Sequence, residues 1–288
     1  MAVQRTVICL LLSLSLLVIQ KVSSQSICTS KEIVDNNVGK CSCRDFTTPS
    51  SAVHCNNQCT VRGSCGVAPA GFSLANCDGD CTYSSNSDCN ACGIWLSTLC
   101  ECLQSPSHCT ESTPGGWWRL PGQNLATPNQ PIHNILDLQM NSNLAPLAWN
   151  FGQTIADLST TGLAINPART VTQDQVHMHI CPVNSNMQSA LAKLSYQSYS
   201  SLNSVHFTGA FSMFANGTPN EMWCQVASSK TSNIAGSDVD KAISSVLGKP
   251  GICNYQVAAA MIKDANGYTW ACVTADRGDT EHRFLQNC

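Results

Sequence analysis

The sequence predicts an α+β protein in which an antiparallel sheet packs against helices, preceded by a disulfide-rich N-terminal region. Cysteine distribution is the first reason: thirteen of the nineteen cysteines fall between Cys28 and Cys109. The second is the apolar pattern after residue 130, which alternates with polar residues in some stretches and recurs at helical spacing in others. The third is Asp264-Ala265-Asn266-Gly267, an Asn-Gly turn between two apolar stretches, which marks a hairpin. A chain of 288 residues has room for one large or two modest domains.

The chain begins with Arg5 ahead of an apolar run, Val7 to Ile19, and then Val22-Ser23-Ser24. A basic start, a short apolar run and small residues before a cleavage point make a secretory signal, so residues 1–24 are expected to be removed and the protein secreted. The run falls short of the ~20 apolar residues that span a bilayer; an uncleaved anchor is the alternative. No later stretch is long and apolar enough to span, and no apolar C-terminal tail calls for a glycosyl-phosphatidylinositol anchor. Charged residues are 11% of the chain and the formal net charge is −3. Without clustered Lys and Arg there is no electrostatic footprint for nucleic acid, and the composition is not that of a disordered chain.

Residues 25–110 read as one cysteine-rich unit. Short turns such as Asn76-Cys77-Asp78-Gly79-Asp80-Cys81 leave few apolar residues for a core, so bridges must replace it. The close pairs Cys41/Cys43, Cys89/Cys92 and Cys100/Cys102 would suit zinc in a cytosolic protein, but a signal ahead of them favours disulfides. Five cysteines lie later: Cys181, Cys224, Cys253, Cys272 and Cys288. Both groups are odd, so full pairing requires at least one bond between them; otherwise each keeps one free thiol.

Residues 111–130 carry Pro114-Gly115-Gly116, Pro121-Gly122 and Pro128, a density that predicts a linker. The Trp117-Trp118 pair within it packs at the domain boundary or forms an exposed lip for a lipid or membrane surface.

Residues 131–288 read as the globular domain. Leu147, Phe151, Ile155 and Leu158 recur at helical spacing after Pro146, and Thr160-Thr161-Gly162 ends that helix. A strand follows over 162–166, then a loop through Arg169. Gln173 to Cys181 alternates, so Val176, Met178 and Ile180 face a core while Gln175, His177 and His179 share the other face. Met187 to Leu194 predicts a helix capped near Ser185 or Asn186. Further expectations are a strand over 205–214, helices over 219–228 and 238–247, strands over 254–263 and 268–274, and a last short helix capped by Asp279-Thr280. Asn216-Gly217-Thr218 is a glycosylation sequon, weakened by Pro219.

The histidine strand carries the chemistry. A neutral imidazole is mostly unprotonated at pH 7 and can attack phosphorus when its other nitrogen is oriented and donors hold the phosphate oxygens. Asn166, Arg169, Thr172, Gln173 and Gln175 supply amide, guanidinium and hydroxyl donors nearby in sequence. Spacing alone leaves three readings open: a nucleophile, a metal-binding pair, or an inert pair. His133 and His206 stand isolated and read as structural.

Leu163-Ala164-Ile165-Asn166, Arg169, Thr172-Gln173 and Val176-His177-Met178-His179-Ile180-Cys181 resemble the signature of the CDP-diacylglycerol pyrophosphatase family, within the histidine-triad (HIT) superfamily. Ser204 to Phe207, Tyr255 to Ile262, and the stretches from Tyr268 and Thr280 onward fit the same pattern, over roughly residues 130–288. The resemblance implies a HIT-like fold with His177 as nucleophile and His179 as the third triad position. Gln175 stands where the first histidine belongs, and an amide cannot exchange a proton at pH 7. Asn166, Arg169, Thr172 and Gln173 would bind substrate phosphate. The implied reaction is CDP-diacylglycerol plus water giving CMP and phosphatidate through a nucleotidyl-histidine, with no metal or other cofactor. The implied partner is a nucleotide diphosphate ester, with peripheral lipid contact. Two alternatives stand beside it: a non-catalytic, disulfide-rich binding or adhesion protein with a degenerate nucleotide-binding domain, and a metal enzyme using His177 and His179.

Overall fold

The computed structural model describes residues 32, 37–43, 98–113, 116–130, 132, 134–168, 176–205, 207, 222–275 and 280–288. The expected signal, most of the cysteine-rich region, the sequon and the candidate residues Arg169, Thr172, Gln173 and Gln175 lie outside the described residues.

The architecture is mixed helix and antiparallel sheet. Among the described residues nine strands form one sheet in the order β1-β2-β3-β5-β4-β8-β9-β7-β6, every neighbouring pair antiparallel. The strands are β1 (Thr110–Glu111), β2 (Trp117–Leu120), β3 (Leu125–Pro128), β4 (Thr161–Ile165), β5 (Met178–Pro182), β6 (Asn203–Ser204), β7 (Met222–Val226), β8 (Val257–Lys263) and β9 (Thr269–Ala275). Helices cover both faces. On one lie α1 (Ile135–Gln139), α2 (Leu144–Ile155) and α4 (Gly236–Leu247), whose Leu136, Trp149, Phe151 and Ile243 pack on Leu163, Met178, Ile180, Met261 and Val273. On the other, Met187 and Leu191 of α3 (Ser185–Leu191) and Phe284 of α5 (Thr280–Phe284) pack with Cys181, Ile262, Trp270 and Cys272.

Two-sided cover explains the central strands. β8 and β9 are buried along nearly their whole length, so both read as continuous apolar runs rather than alternating ones. Their hairpin turns at Gly267, whose φ of 90° suits glycine, as the Asn-Gly signal predicts. Asp264 at the start of that turn is buried and accepts from Tyr196 Oη (3.0 Å), Trp270 Nε1 (2.9 Å) and the backbone N–H groups of Asn266 and Tyr268 (both 2.9 Å). Four donors make it a hub that locks the hairpin to the turn after α3. At Gly152, α2 crosses the sheet so closely that a Cβ would meet Leu163 Cδ1 at 2.6 Å and Met178 Sδ at 2.7 Å.

Several expectations need correcting. The stretch read as a linker, 111–130, builds β1 to β3; its Pro121-Gly122 is the hairpin turn between β2 and β3, with Gly122 at φ 69°. Both tryptophans on β2 are buried, which favours the packing reading of the pair over the exposed lip. Adjacent strand residues point to opposite faces. Trp117 therefore enters the main core, donating Nε1 to Leu144 O at 3.1 Å, while Trp118 packs with Val38, Leu99, Cys100 and Cys102. One strand thus joins the globular core to the cysteine-rich region.

The expected helix over 219–228 contains β7 instead. Of the expected strand over 205–214 little is described; the strand there is the short β6 just before it. α2 ends at Ile155, one turn earlier than the spacing suggests, and Asn184 rather than Ser185 or Asn186 caps α3, accepting from Asn186 N and Met187 N. Residues 254–256 form a 3-10 turn ahead of β8.

Four disulfides are described: Cys43–Cys100, Cys102–Cys109, Cys181–Cys288 and Cys224–Cys272. Cys253 is also disulfide-bonded, to none of the other four late cysteines. Such bonding fits an oxidising environment. Among the described residues no helix is long and apolar enough to cross a membrane.

Candidate functional site

The site forms where the histidine strand meets the C-terminal helix. β5 lies between β3 and β4, and His179 pairs across with Leu125 on one side and Ala164 on the other. Met178 and Ile180 point into the main core, as the alternation requires. His179 shares the opposite face with Cys181, Ala164 and Ala260. These alanines leave room for α5 to lie close to β4 and β8.

Several fastenings hold α5 and the residues after it. Glu281 N donates to Asn166 Oδ1 at 3.1 Å, and the Thr274 and Thr280 hydroxyls are 2.8 Å apart in a buried hydrogen bond. Asn184 N donates to Phe284 O at 2.8 Å, and Gln286 N to Pro182 O at 2.9 Å. Burying the whole Phe284 side chain contributes about 1.5–3 kcal/mol. Cys288 closes the arrangement through its bond to Cys181, two residues beyond His179.

This placement brings together groups that the sequence does not juxtapose. Glu281 Oε2 lies 2.5 Å from His179 Nε2, with both side chains mostly buried. The two atoms are not aligned as a hydrogen bond, and among the described residues neither has a hydrogen-bond partner, so the contact is one of charge and proximity. The His177 and His179 ring centroids are 4.9 Å apart, edge to face, and His177 is 7% exposed. His282 Nε2 lies 3.7 Å from Glu281 Oε1 on the solvent side. Burial pushes the Glu281 carboxyl up, but the His179 contact and the charges of His179, His282 and His177 outweigh it and hold the carboxyl below its ordinary range.

Of the sequence-predicted residues, the fold brings His177, His179 and Asn166 together. Asn166 serves through its carbonyl oxygen as an anchor for α5, leaving its NH₂ as the donating end. Arg169, Thr172, Gln173 and Gln175 lie outside the described residues. Glu281 is the member that sequence reading missed. Nothing in its local sequence marks it as a partner of β5.

His179 Nδ1 or Nε2 and the Cys181 and Cys288 sulfurs also lie within 4.8 Å of one another. Those sulfurs are joined in a disulfide, so neither is a thiolate ligand in the oxidised chain. No protein-family model matches the chain, and no curated protein is significantly similar to it in sequence.

Proposed function

We propose that the C-terminal region is a HIT-like domain of a secreted hydrolase that splits a pyrophosphate bond, with CDP-diacylglycerol as the substrate implied by the family resemblance. The observation that carries this reading is the edge-to-face histidine pair, one ring backed by a carboxylate, beside Asn166. The carboxylate backs His179, and that ring in turn stands edge to face against His177, the candidate nucleophile.

In the proposed reaction a nitrogen of His177 attacks the phosphorus next to the nucleoside. The bond from that phosphorus to the bridging oxygen breaks, and phosphatidate leaves with the electron pair. Water then attacks the same phosphorus, the P–N bond breaks, and CMP leaves with the imidazole restored. His179 stands beside the nucleophile, where its ring can hold or pass a proton. Asn166 and, nearby in sequence, Arg169, Thr172, Gln173 and Gln175 would supply donors for the phosphate oxygens.

Hydrolysis of CDP-diacylglycerol and of soluble nucleotide diphosphate esters, with and without chelator, tests the reading. His177→Ala is expected to abolish turnover while the native fold is kept, with a modest loss of stability from truncating a buried ring, and wild-type protein caught mid-reaction should carry acid-labile nucleotide on His177. Undiminished hydrolysis by the variant would refute the nucleophile assignment. Activity lost to chelator and restored by one metal per chain would favour the metal enzyme.

One observation favours a second reading, a binding module without turnover. His177 is 7% exposed, so attack requires the ring to be uncovered first. Tight nucleotide binding with no product across the panel would select that reading.

A further inference from the structure

The carboxylate beside the histidine pair comes from the C-terminal helix, far in sequence from the motif that supplies the histidines. We propose that Glu281 is the positioning residue of the site: its carboxylate fixes which nitrogen of His179 carries the proton and how that ring stands against His177, the orienting task that Gln175 cannot perform as a proton-exchanging group. The proposal rests on the phosphoryl-transfer reading above for its catalytic consequence, though not for its structural one.

Charge proximity makes the selection. An ionised carboxylate only accepts, so a proton on the nearer ring nitrogen is stabilised by it and a lone pair there is not. Glu281 Oε2 lies against Nε2 in a close charge contact, which favours the neutral form with the proton on Nε2 and the lone pair on Nδ1. A ring without such a partner would exchange freely between its two tautomers. Burial strengthens the selection, because the side chains of His179 and Glu281 are only 14% and 13% exposed and little water competes.

The position of Glu281 is itself over-determined. Its backbone N–H is held by Asn166, Thr280 is hydrogen-bonded to Thr274, and the Cys181–Cys288 bond pins the chain end to the strand that carries His179. Ala164 and Ala260 give the helix a flat floor. Among the described residues, the charged and titratable groups acting on the carboxylate are His179 of β5, His177 just before it, and His282 from its own helix. His282 is 3.7 Å away and 70% exposed, so it adds charge but does not compete for Oε2. The net effect, a carboxyl held below its ordinary range, keeps Glu281 an acceptor throughout neutral pH.

The test uses the full mature chain and two readouts. Two-bond proton–nitrogen correlation spectra of the histidine rings report the tautomer of His179 directly. Wild type is expected to show the Nε2–H form of His179 alone, and Glu281→Gln, which keeps the shape and the Asn166 anchor, a mixture of both. Hydrolysis of CDP-diacylglycerol should then fall about 100-fold in kcat, the low end of what acid–base groups contribute, with KM within about threefold. Glu281→Asp should recover part of both readouts. In a His179→Ala background Glu281→Gln should have no further effect on kcat.

An unchanged His179 tautomer in Glu281→Gln would overturn the proposal whatever the hydrolysis shows. A tautomer change with normal kcat would overturn its catalytic half. A tautomer change in a protein whose wild type hydrolyses nothing would support the positioning of His179 and count against the hydrolase reading itself, so the two failures are distinguishable.

Discussion

The bond between Cys181 and Cys288 is expected to stabilise the fold more than any single contact of α5. It spans 107 residues, but the nested Cys224–Cys272 bond, spanning 48, shortens the open loop to about 59. A loop of that length loses about 4 kcal/mol of closure entropy in the unfolded chain when cross-linked at 25 °C. Replacing both residues by alanine, Cys181→Ala with Cys288→Ala, avoids leaving a lone thiol; Cys181 is fully buried, so the change adds a small packing loss. Urea unfolding should therefore show a loss of about 4 kcal/mol, with a larger m-value because the unfolded chain becomes less compact. The remaining hydrogen bonds of α5 predict that the native sheet persists, so near-ultraviolet circular dichroism should be retained before the transition. A loss below about 1 kcal/mol would refute the entropy argument as the main source of stabilisation. Loss of the native spectrum in buffer would refute the claim that the other fastenings suffice.

Two further outcomes follow from the same structure. Asp264→Ala strands the Tyr196 hydroxyl, the Trp270 indole N–H and two backbone N–H groups, and should cost at least about 3 kcal/mol in denaturant unfolding; a cost under 1 kcal/mol would show that water replaces the carboxylate. Because the folded-state pKa of Glu281 is depressed, its contribution is present above the unfolded value of about 4.3 and is lost as pH falls through the lower folded value. Wild type should therefore lose more stability than Glu281→Gln as pH falls from about 5 into the acid range, and parallel pH–stability curves would contradict the depressed carboxyl.

How much could be read in advance depended on whether local pattern and tertiary setting agreed. The β8–β9 hairpin was legible because its turn chemistry is local. Gln173 to Cys181 was legible in part because Met178 and Ile180 do face the main core. β7 was not, because Met222-Trp223-Cys224-Gln225-Val226 is buried on both faces and so lacks alternation. With Pro219 ahead of it, the stretch mimics a helix start. The Pro and Gly residues of 111–130 were read as a linker because short strands and their turns have nearly the same composition; the pairing that distinguishes them is non-local.

The site repeats this division at the scale of function. His177, His179 and Asn166 sit on neighbouring strands β4 and β5 or at their ends, so sequence spacing could group them. Glu281 reaches them only because α5 crosses back over β4, on a floor of alanines and under a terminal disulfide. None of those causes lies near Glu281 in sequence. A constellation read from one strand is therefore incomplete on the face that another element covers. Here that face supplies the carboxylate, whose charge interacts with both histidines. If the chain is a hydrolase, its C-terminal nine residues are part of the active site rather than a tail that closes the fold.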